Sequence, residues 1–402
     1  MKNTKSIKIN FTFIIISFLL ISINFYSYAI NNNEIKKAQD IYLKKLHITE
    51  AWKYTKGNKN IIIGIIDKGF DFYHPALKGK LQPGFYANNV FHYQMYSFIN
   101  QGTISAGIIG AQRTKNYEIT GFAPNCSILA ASMGEIDHPI TRYKNIFNKE
   151  INKKSPIEKK INTINNYFDN NKFDRQIWQS YIANSISDSI YFLSKNKVSV
   201  ILINYTMNLQ SFDKDNRNKL INAFEHAYKN NIVIIMGCFM YKTDKEFVYP
   251  LDSDSLIITA PVLLNNKTIS YNQKYNGINY TVTTSLSKRL TISAHVENIA
   301  VLAPYDIACY KWIDGPGGNE DYIYKGPAVI NDLSGSSTAA AIVASLAGLV
   351  RSIRPDISAK EVIQIIKLGA DNINNKGFDE KTGYGMVNFE KTLKIVKNWK
   401  NI

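Results

Sequence analysis

Short apolar runs that end near a polar residue recur along the chain, and longer stretches of mixed polarity separate them. Four such runs occupy residues 61–66, 128–131, 198–203 and 232–235. Apolar runs of this length are typical of parallel strands that are buried on both faces of a sheet. Helices are expected between and after them, at residues 51–54, 219–228 and 339–350. Strands that alternate with helices predict an α/β fold with a doubly wound, mostly parallel sheet and helices on both faces.

The first 29 residues have the pattern of a secretory signal peptide. Three lysines precede an apolar run over residues 11–23, and small residues suited to signal peptidase stand at 27–29. The alternative is an N-terminal membrane anchor, because the run approaches spanning length if the next two residues are counted. We expect cleavage, and therefore a secreted or extracytoplasmic (cell-envelope) protein with no membrane span after the signal is removed.

The rest of the chain is predicted to form one main domain. Residues 30–58 are polar and are interpreted as an N-terminal extension, and residues 59–395 carry the strand and helix pattern. Residues 135–179 break this pattern, because they are rich in Lys, Asn and Asp with scattered apolar residues. We interpret them as a surface insertion that is partly helical.

The charge and the cysteines limit the partners and the disulfide bonds that the chain is expected to have. The formal net charge is +16 at pH 7, but the lysines are spread throughout the chain. Zinc-finger spacing, an RNA-binding aromatic signature and a dense basic block are all missing from the sequence, so we expect no nucleic acid. Cys126, Cys238 and Cys309 contain no CxxC pair, which leaves room for at most one disulfide and favours small buried side chains. A peptide or protein partner is expected, and the oligomeric state is left open.

Three motifs follow one another along the chain. Residues 65–71 read Ile-Ile-Asp-Lys-Gly-Phe-Asp and are followed by His-Pro-Ala-Leu at 74–77. Residues 101–109 read Gln-Gly-Thr-Ile-Ser-Ala-Gly-Ile-Ile, and residues 334–340 read Ser-Gly-Ser-Ser-Thr-Ala-Ala. Lesser motifs in the same order occupy 121–125, 203–206, 301–304, 354–358 and 383–388. Together they resemble the subtilisin-like serine peptidases, the subtilase family (peptidase S8), over about residues 41–395.

The resemblance implies a role for each position of the family's site. Asp67 holds the place of the carboxylate that orients the catalytic histidine, and Ser337 holds the place of the nucleophile. Gln101 stands where the family has that histidine. Phe239 stands where the family has an oxyanion-binding asparagine, or Cys238 does if the register differs by one. The strand that lines the bound substrate is implied at Thr206, Met207 and Asn208.

Two of these residues also have a purely structural interpretation. A serine at the start of a helix is a common helix cap, which would account for Ser337 without any chemistry. Asp67 would in the same way serve only as a hydrogen-bond acceptor at the end of a strand. The sequence leaves both alternatives open.

The residue at position 101 decides whether the resemblance extends to activity. A glutamine amide has no basic site near neutral pH and cannot shuttle a proton. Loss of the histidine from such a triad costs a factor on the order of 10⁶ in turnover. Serine-carboxyl peptidases use acids from the equivalent helix, but no Asp or Glu occurs between Asn100 and Asn116. His92 is the remaining alternative base, and its aromatic surroundings favour a packed side chain instead.

The oxyanion position weakens the case for catalysis further. Neither Phe239 nor Cys238 offers an amide donor, and loss of one such donor costs about 10²–10³ in rate. We therefore interpret the chain as a catalytically impaired pseudopeptidase that binds peptides. The alternative is an active serine endopeptidase with an unrecognised general base. A third hypothesis is a binding module whose Lys-rich insertion contacts a partner or an anionic surface.

Calcium is the one cofactor that the resemblance suggests. No ligand set can be assigned from the sequence, in which Asp252, Asp254, Asp314 and Asp321 are candidate surface acids.

Overall fold

The computed structural model describes most of the predicted domain. The described residues are 32–87, 101–113, 118–133, 172–238, 248–252, 254–275, 278–283, 290–302, 309–312, 319–322, 328–333, 335–374 and 377–400. The signal segment, His92, Phe239, Asp314 and residues 135–171 of the predicted insertion lie outside the described residues.

The described residues form helices and strands in alternation. The helices are α1 Asn32–Lys45, α2 Ile48–Ala51, α3 Gln101–Gly110, α4 Lys172–Lys195, α5 Lys214–Lys229, α6 Ser336–Ile353, α7 Ala359–Gly369 and α8 Phe389–Lys397. The strands are β1 Ile62–Asp67, β2 Leu81–Tyr86, β3 Ser127–Ser132, β4 Val200–Ile203, β5 Val233–Gly237, β6 Ile257–Val262, β7 Ser270–Tyr275, β8 Ile278–Thr283, β9 Ile292–His295, β10 Glu297–Leu302, β11 Cys309–Trp312, β12 Asn319–Tyr322 and β13 Ala328–Leu333.

Seven of these strands form one sheet in the order β2-β3-β1-β4-β5-β6-β9. Every neighbouring pair in this sheet is parallel. The four apolar runs recognised in the sequence correspond to β1, β3, β4 and β5, so the predicted doubly wound α/β fold is confirmed. Three antiparallel pairs stand apart from this sheet: β7 with β8, β10 with β13, and β11 with β12.

Side chains of the central strands alternate between two apolar layers. Ile63 and Ile65 of β1 belong to the larger core, which also contains the inner face of α6. Ile66 points into the second core, with the apolar faces of α4 and α5. A continuous apolar run in the sequence therefore serves a strand that is covered on both faces.

Two helices have bounds that differ from those predicted from the sequence. Helix α5 begins at Lys214, five residues before the predicted start, because the Asp213 carboxylate accepts a hydrogen bond from the N–H of Asn216 at 2.9 Å. The helix predicted over 51–54 is wrong in its bounds. Helix α2 ends at Ala51, and residues 52–54 form the turn that follows it.

The order of the strands places a crevice between β1 and β4. The chain leaves β1 toward β2 and β3 on one side of the sheet, and it leaves β4 toward β5 on the other. In open α/β sheets, functional groups collect at the carboxyl ends of strands at such a switch point. The residues that follow β1 and β4 are Lys68 and Asn204, so the site should be sought there.

Helix α6 runs through the centre of the larger core. Among the described helices it is the one long and apolar enough to cross a membrane, yet 83% of it is buried within the protein. Such burial is the usual state of a central helix in a packed domain.

Candidate functional site

Asp67 is the last residue of β1 and lies in the crevice, with 3% of its surface exposed. One carboxylate oxygen, Oδ1, accepts hydrogen bonds from the N–H groups of Lys68 at 2.6 Å and Gly69 at 3.4 Å. The N–H of Gly102, at the start of α3, also donates to this carboxylate. The sharp turn after β1 therefore folds back on the side chain of its own last residue.

Asn204 and Ser105 complete the surroundings of this carboxylate. Asn204 directly follows β4, and its amide Nδ2 donates to Asp67 Oδ2 at 2.7 Å and to Ser105 Oγ at 2.8 Å. Ser105 lies on α3, so one amide group joins β1, β4 and α3. The sequence placed Asn204 in a motif, but it gave no sign of this contact, which depends on the pairing of β1 with β4.

Burial raises the pKa of the Asp67 carboxyl from its ordinary value near 3.8 to about 6. The hydrogen bonds from Asn204 and the backbone oppose this effect and lower the pKa, but they do not outweigh it. No cationic side chain contributes to the shift. The carboxylate is therefore solvated by dipoles, and no positive charge compensates it.

Gln101 is the first residue of α3 and its side chain is exposed. The next residue, Gly102, packs against the turn after β1: a Cβ atom there would lie 2.4 Å from the carbonyl oxygen of Gly69. This contact places the start of α3 beside Asp67. Within the described residues, no hydrogen bond joins the Gln101 amide to Asp67 or Ser337.

The four histidines that the structure describes lie elsewhere. His47 occupies the N-cap position of α2, where its side chain makes no capping hydrogen bond, and the His74 ring accepts a hydrogen bond from the N–H of Ala76. His226 contacts the ring of Tyr191, and His295 bonds to the carbonyl oxygen of Leu263. Within the described part of the chain, none of these rings is hydrogen-bonded to Asp67 or Ser337.

Ser337 is the second residue of α6 and is half-buried. The cap of this helix is Gly335, which has no side chain to bond the first turn, so Ser337 does not act as the helix cap. Its neighbour Ser336 packs against the end of β5, where a Cβ atom on Gly237 would lie 2.6 Å from Ser336 Oγ. Close packing of small residues thus sets the start of α6 against the carboxyl edge of the sheet.

The turn after β5 begins with Cys238. Its N–H donates to the carbonyl oxygen of Thr259 at 2.9 Å, and its side chain is 1% exposed. Burial raises the pKa of the Cys238 thiol to about 12, so the sulfur stays protonated. This side chain is neither an amide donor nor a nucleophile. The other sequence candidate for the oxyanion position, Phe239, lies outside the described residues.

The segment after β4 has two different parts. The backbone groups of Tyr205, Thr206 and Met207 form no hydrogen bond with any described residue, although the Thr206 hydroxyl donates to the carbonyl oxygen of Gly237 at 3.2 Å. The side chain of Met207 is buried. Asn208 is engaged, because its Oδ1 accepts from the N–H groups of Gln210 and Val248.

The candidate calcium ligands do not converge in the described structure. Asp254 forms an ion pair with Lys367 at 2.9 Å, and Asp252 Oδ1 accepts from the N–H of Asp254. Within the described ranges, no three His, Cys, Asp or Glu side chains lie close enough to form a metal site.

Comparisons with known proteins agree with this architecture. The sequence profile of the subtilase family, peptidase S8, matches residues 58–385. The chain is 41% identical to the thermophilic serine proteinase of Bacillus sp. (strain AK1) over 81 residues, and 31% identical to human neuroendocrine convertase 2 over 101 residues. These matches cover 20% and 23% of this chain, and only 20% and 16% of the length of those two relatives.

Solved structures of the same fold match over most of the chain. MycP1 from Mycobacterium smegmatis has a TM-score of 0.60 at 18% identity, with 90% of this chain and 85% of that chain covered. Fervidolysin from Fervidobacterium pennivorans, a keratinolytic enzyme related to subtilisin, has a TM-score of 0.58 at 17% identity, covering 88% and 45%. At such identities the likeness concerns the fold. Because the family profile matches most of its length, the chain belongs to the subtilase family and is related to serine proteases.

Proposed function

We propose that this subtilase is a pseudopeptidase, which binds extended peptides and hydrolyses them poorly or not at all. The observation that carries the proposal is Gln101. It begins the helix that packs beside Asp67. The sequence resemblance assigns it to the family's histidine position. Among the described residues, no side chain that could take up a proton near neutral pH is hydrogen-bonded to the Ser337 hydroxyl.

The state of Asp67 supports the same conclusion. In a working triad the carboxylate orients an imidazole and stabilises the imidazolium that forms. Here the carboxylate is buried without a cation, and an amide from Asn204 bonds one of its oxygens. The loss of the base is expected to account for most of the loss in turnover, because removal of one triad member lowers the rate nearly as much as removal of all three.

Peptide binding is supported by the segment at 205–207. Its backbone groups are unpaired among the described residues and follow a strand of the central sheet. An extended peptide can add to such an edge through main-chain hydrogen bonds, which need no catalytic group. The proposed role is that of a decoy, scaffold or adaptor for peptide segments.

We place this role outside the cytoplasm. The basis is the signal-like segment at residues 1–29. Related folds occur in the periplasmic assembly of the ESX-5 inner membrane complex, which the chain matches with a TM-score of 0.56 at 19% identity. Sec-dependent export of a tagged full-length chain, measured by fractionation, tests this assignment.

Digestion of an unfolded protein tests the proposed function. Purified mature protein is incubated with reduced casein, and new amino termini are measured beside a matched Ser337→Ala preparation. We expect the same slow background in both. Cleavage that is present in the unmodified protein and lost in Ser337→Ala would establish the alternative, an active endopeptidase with another base.

A further inference from the structure

The carboxyl edge of the sheet, where the proposed groove lies, carries little charge that reaches solvent. Around the ends of β1, β4 and β5 and the starts of α3 and α6, its described segments are 65–74, 101–108, 203–212, 236–238 and 335–342. The acids in these segments are Asp67 and Asp71, and both are buried. Lys68 is the one Lys, Arg, Asp or Glu in these segments whose side chain is partly exposed. Among the described residues of these segments, the edge therefore presents a positive charge toward solvent and no exposed acid.

Lys68 stands on a fixed stretch of backbone. Its N–H donates to Asp67 Oδ1 at 2.6 Å, and its carbonyl oxygen accepts from Ser132 Oγ at 3.0 Å. Its ammonium group forms no ion pair with a described acid, and it does not contribute to the shifted pKa of Asp67. The lysine is therefore held at the mouth of the crevice, and its ammonium group forms no ion pair within the described structure.

Helix α6 adds to the positive field at this edge. It begins here, at Ser336, and has no acidic residue in its first turn. The N-terminus of α3 is offset instead, because the N–H of Gly102 donates to the Asp67 carboxylate. The N-terminus of a helix carries about half a positive charge when no acid offsets it. The net charge of the chain, +16, has the same sign. An anionic segment would be attracted to the groove, and a cationic one would be repelled.

We propose that the groove selects extended peptides that carry carboxylate side chains, and that Lys68 pairs with one of these carboxylates. This inference rests on the proposed peptide-binding function. It assigns a ligand class and a specificity-determining residue to the same site. The expected gain is modest, since a partly exposed ion pair contributes about 1 kcal/mol at most, which corresponds to about fivefold in affinity.

The test uses three fluorescein-labelled peptides of equal length and identical apolar positions. They differ only in having glutamate, glutamine or lysine at the variable positions. Binding to the full mature protein is measured by fluorescence anisotropy at low and at physiological salt. We expect the glutamate peptide to bind about fivefold more tightly than the glutamine peptide, and the lysine peptide to bind most weakly. The differences should shrink as salt increases.

A pair of charge-reversal variants assigns the effect to one residue. Lys68→Glu is expected to reverse the order of the three peptides. Lys78→Glu makes the same change in net charge at an exposed position that follows the 3₁₀ turn Pro75–Leu77, and it should leave the order unchanged. Thermal unfolding of both variants confirms that the fold is retained.

The outcomes separate this inference from the proposed function. Equal affinity for the three peptides, or equal shifts in the Lys68→Glu and Lys78→Glu variants, would overturn the selection of acidic peptides and leave peptide binding intact. Failure of the unmodified protein to bind any of the three would instead overturn the proposed function, and this inference with it.

Discussion

At the scale of single residues, Asp67 is a buried carboxylate surrounded by uncharged donors. The amide of Asn204 and the N–H groups of Lys68 and Gly69 are its partners. Its pKa is raised by burial to about 6, so between pH 4 and 6 the folded chain binds a proton that the unfolded chain does not. Stability contributed by this group is therefore greatest at low pH and is lost as the pH rises through 6.

Replacement of Asp67 by asparagine tests this linkage. As the pH rises from 4 to 7.5, the unfolding free energy of Asp67→Asn should increase relative to that of the unmodified protein. The size of this change is on the order of 2–3 kcal/mol. Denaturant unfolding measures it. The control is Asp213→Asn, because the pKa of that cap is lowered by its bonds to Asn216 and its effect should appear below pH 4 with opposite sign. A difference that does not vary with pH contradicts the account.

Gln101 and Phe239 are the two residues to which we assign the proposed loss of activity. Gln101→His alone restores a base but leaves the oxyanion poorly held, so we expect little hydrolysis of a peptide ester. Gln101→His combined with Phe239→Asn should be faster by about 10²-fold or more, because an oxyanion donor contributes that much. The rates are compared with the same variants carrying Ser337→Ala. Equal rates for the single and double variants would assign no role to position 239.

At the scale of elements, the site depends on how closely α3 and α6 approach the ends of the strands. A Cβ atom on Gly102 would lie 2.4 Å from the Gly69 carbonyl oxygen and 2.6 Å from the Phe70 ring, whereas one on Gly335 meets nothing within 4 Å. Gly102→Ala should therefore destabilise the protein by about 1–3 kcal/mol, as overpacking usually does. Gly335→Ala, at the start of the other helix, should change stability little. Thermal unfolding distinguishes the two, and equal effects would show that α3 is free to move.

The strands and helices were largely predictable, and the contacts between them were not. Residues 61–66 indicate a buried strand by their apolar run, and Asp67 stands out as the polar residue at its end. The cap that starts α5 at Asp213 is also a local signal, since an aspartate directly before a helical stretch is a common N-cap. Asn204 and Ser105 are different, because their contact with Asp67 arises only when β1 and β4 pair and α3 packs beside them. The spacing of these residues along the sequence does not predict their contact in the fold.

At the scale of the whole molecule, the N-terminal helix α1 is part of the packed core. Ile35, Ala38 and Tyr42 are buried at helical spacing, and the Gln39 amide bonds both backbone groups of Thr120. The sequence of residues 30–58 predicts a polar extension, because polar residues outnumber this narrow apolar stripe. The stripe becomes evident only when the residues are placed on a helix.

Alanine variants of two adjacent residues, Tyr42 and Ile41, test whether α1 unfolds with the rest of the protein. Tyr42 is 1% exposed and Ile41 is 49% exposed. Tyr42→Ala should lower the stability of the whole domain by about 3 kcal/mol or more within a single unfolding transition. Ile41→Ala should have little effect. A separate early transition in Tyr42→Ala would mean that α1 is an independent appendage.

The central claim is that no side chain takes the proton from the Ser337 hydroxyl. Reaction with a serine-directed fluorophosphonate measures this directly, because the reagent labels a hydroxyl only when a neighbouring base activates it. Intact-mass spectrometry and peptide mapping of the unmodified protein are compared with Ser337→Ala. The account predicts no adduct at Ser337 under conditions that fully label an active subtilase. A stoichiometric adduct at Ser337, absent from the alanine variant, would contradict it.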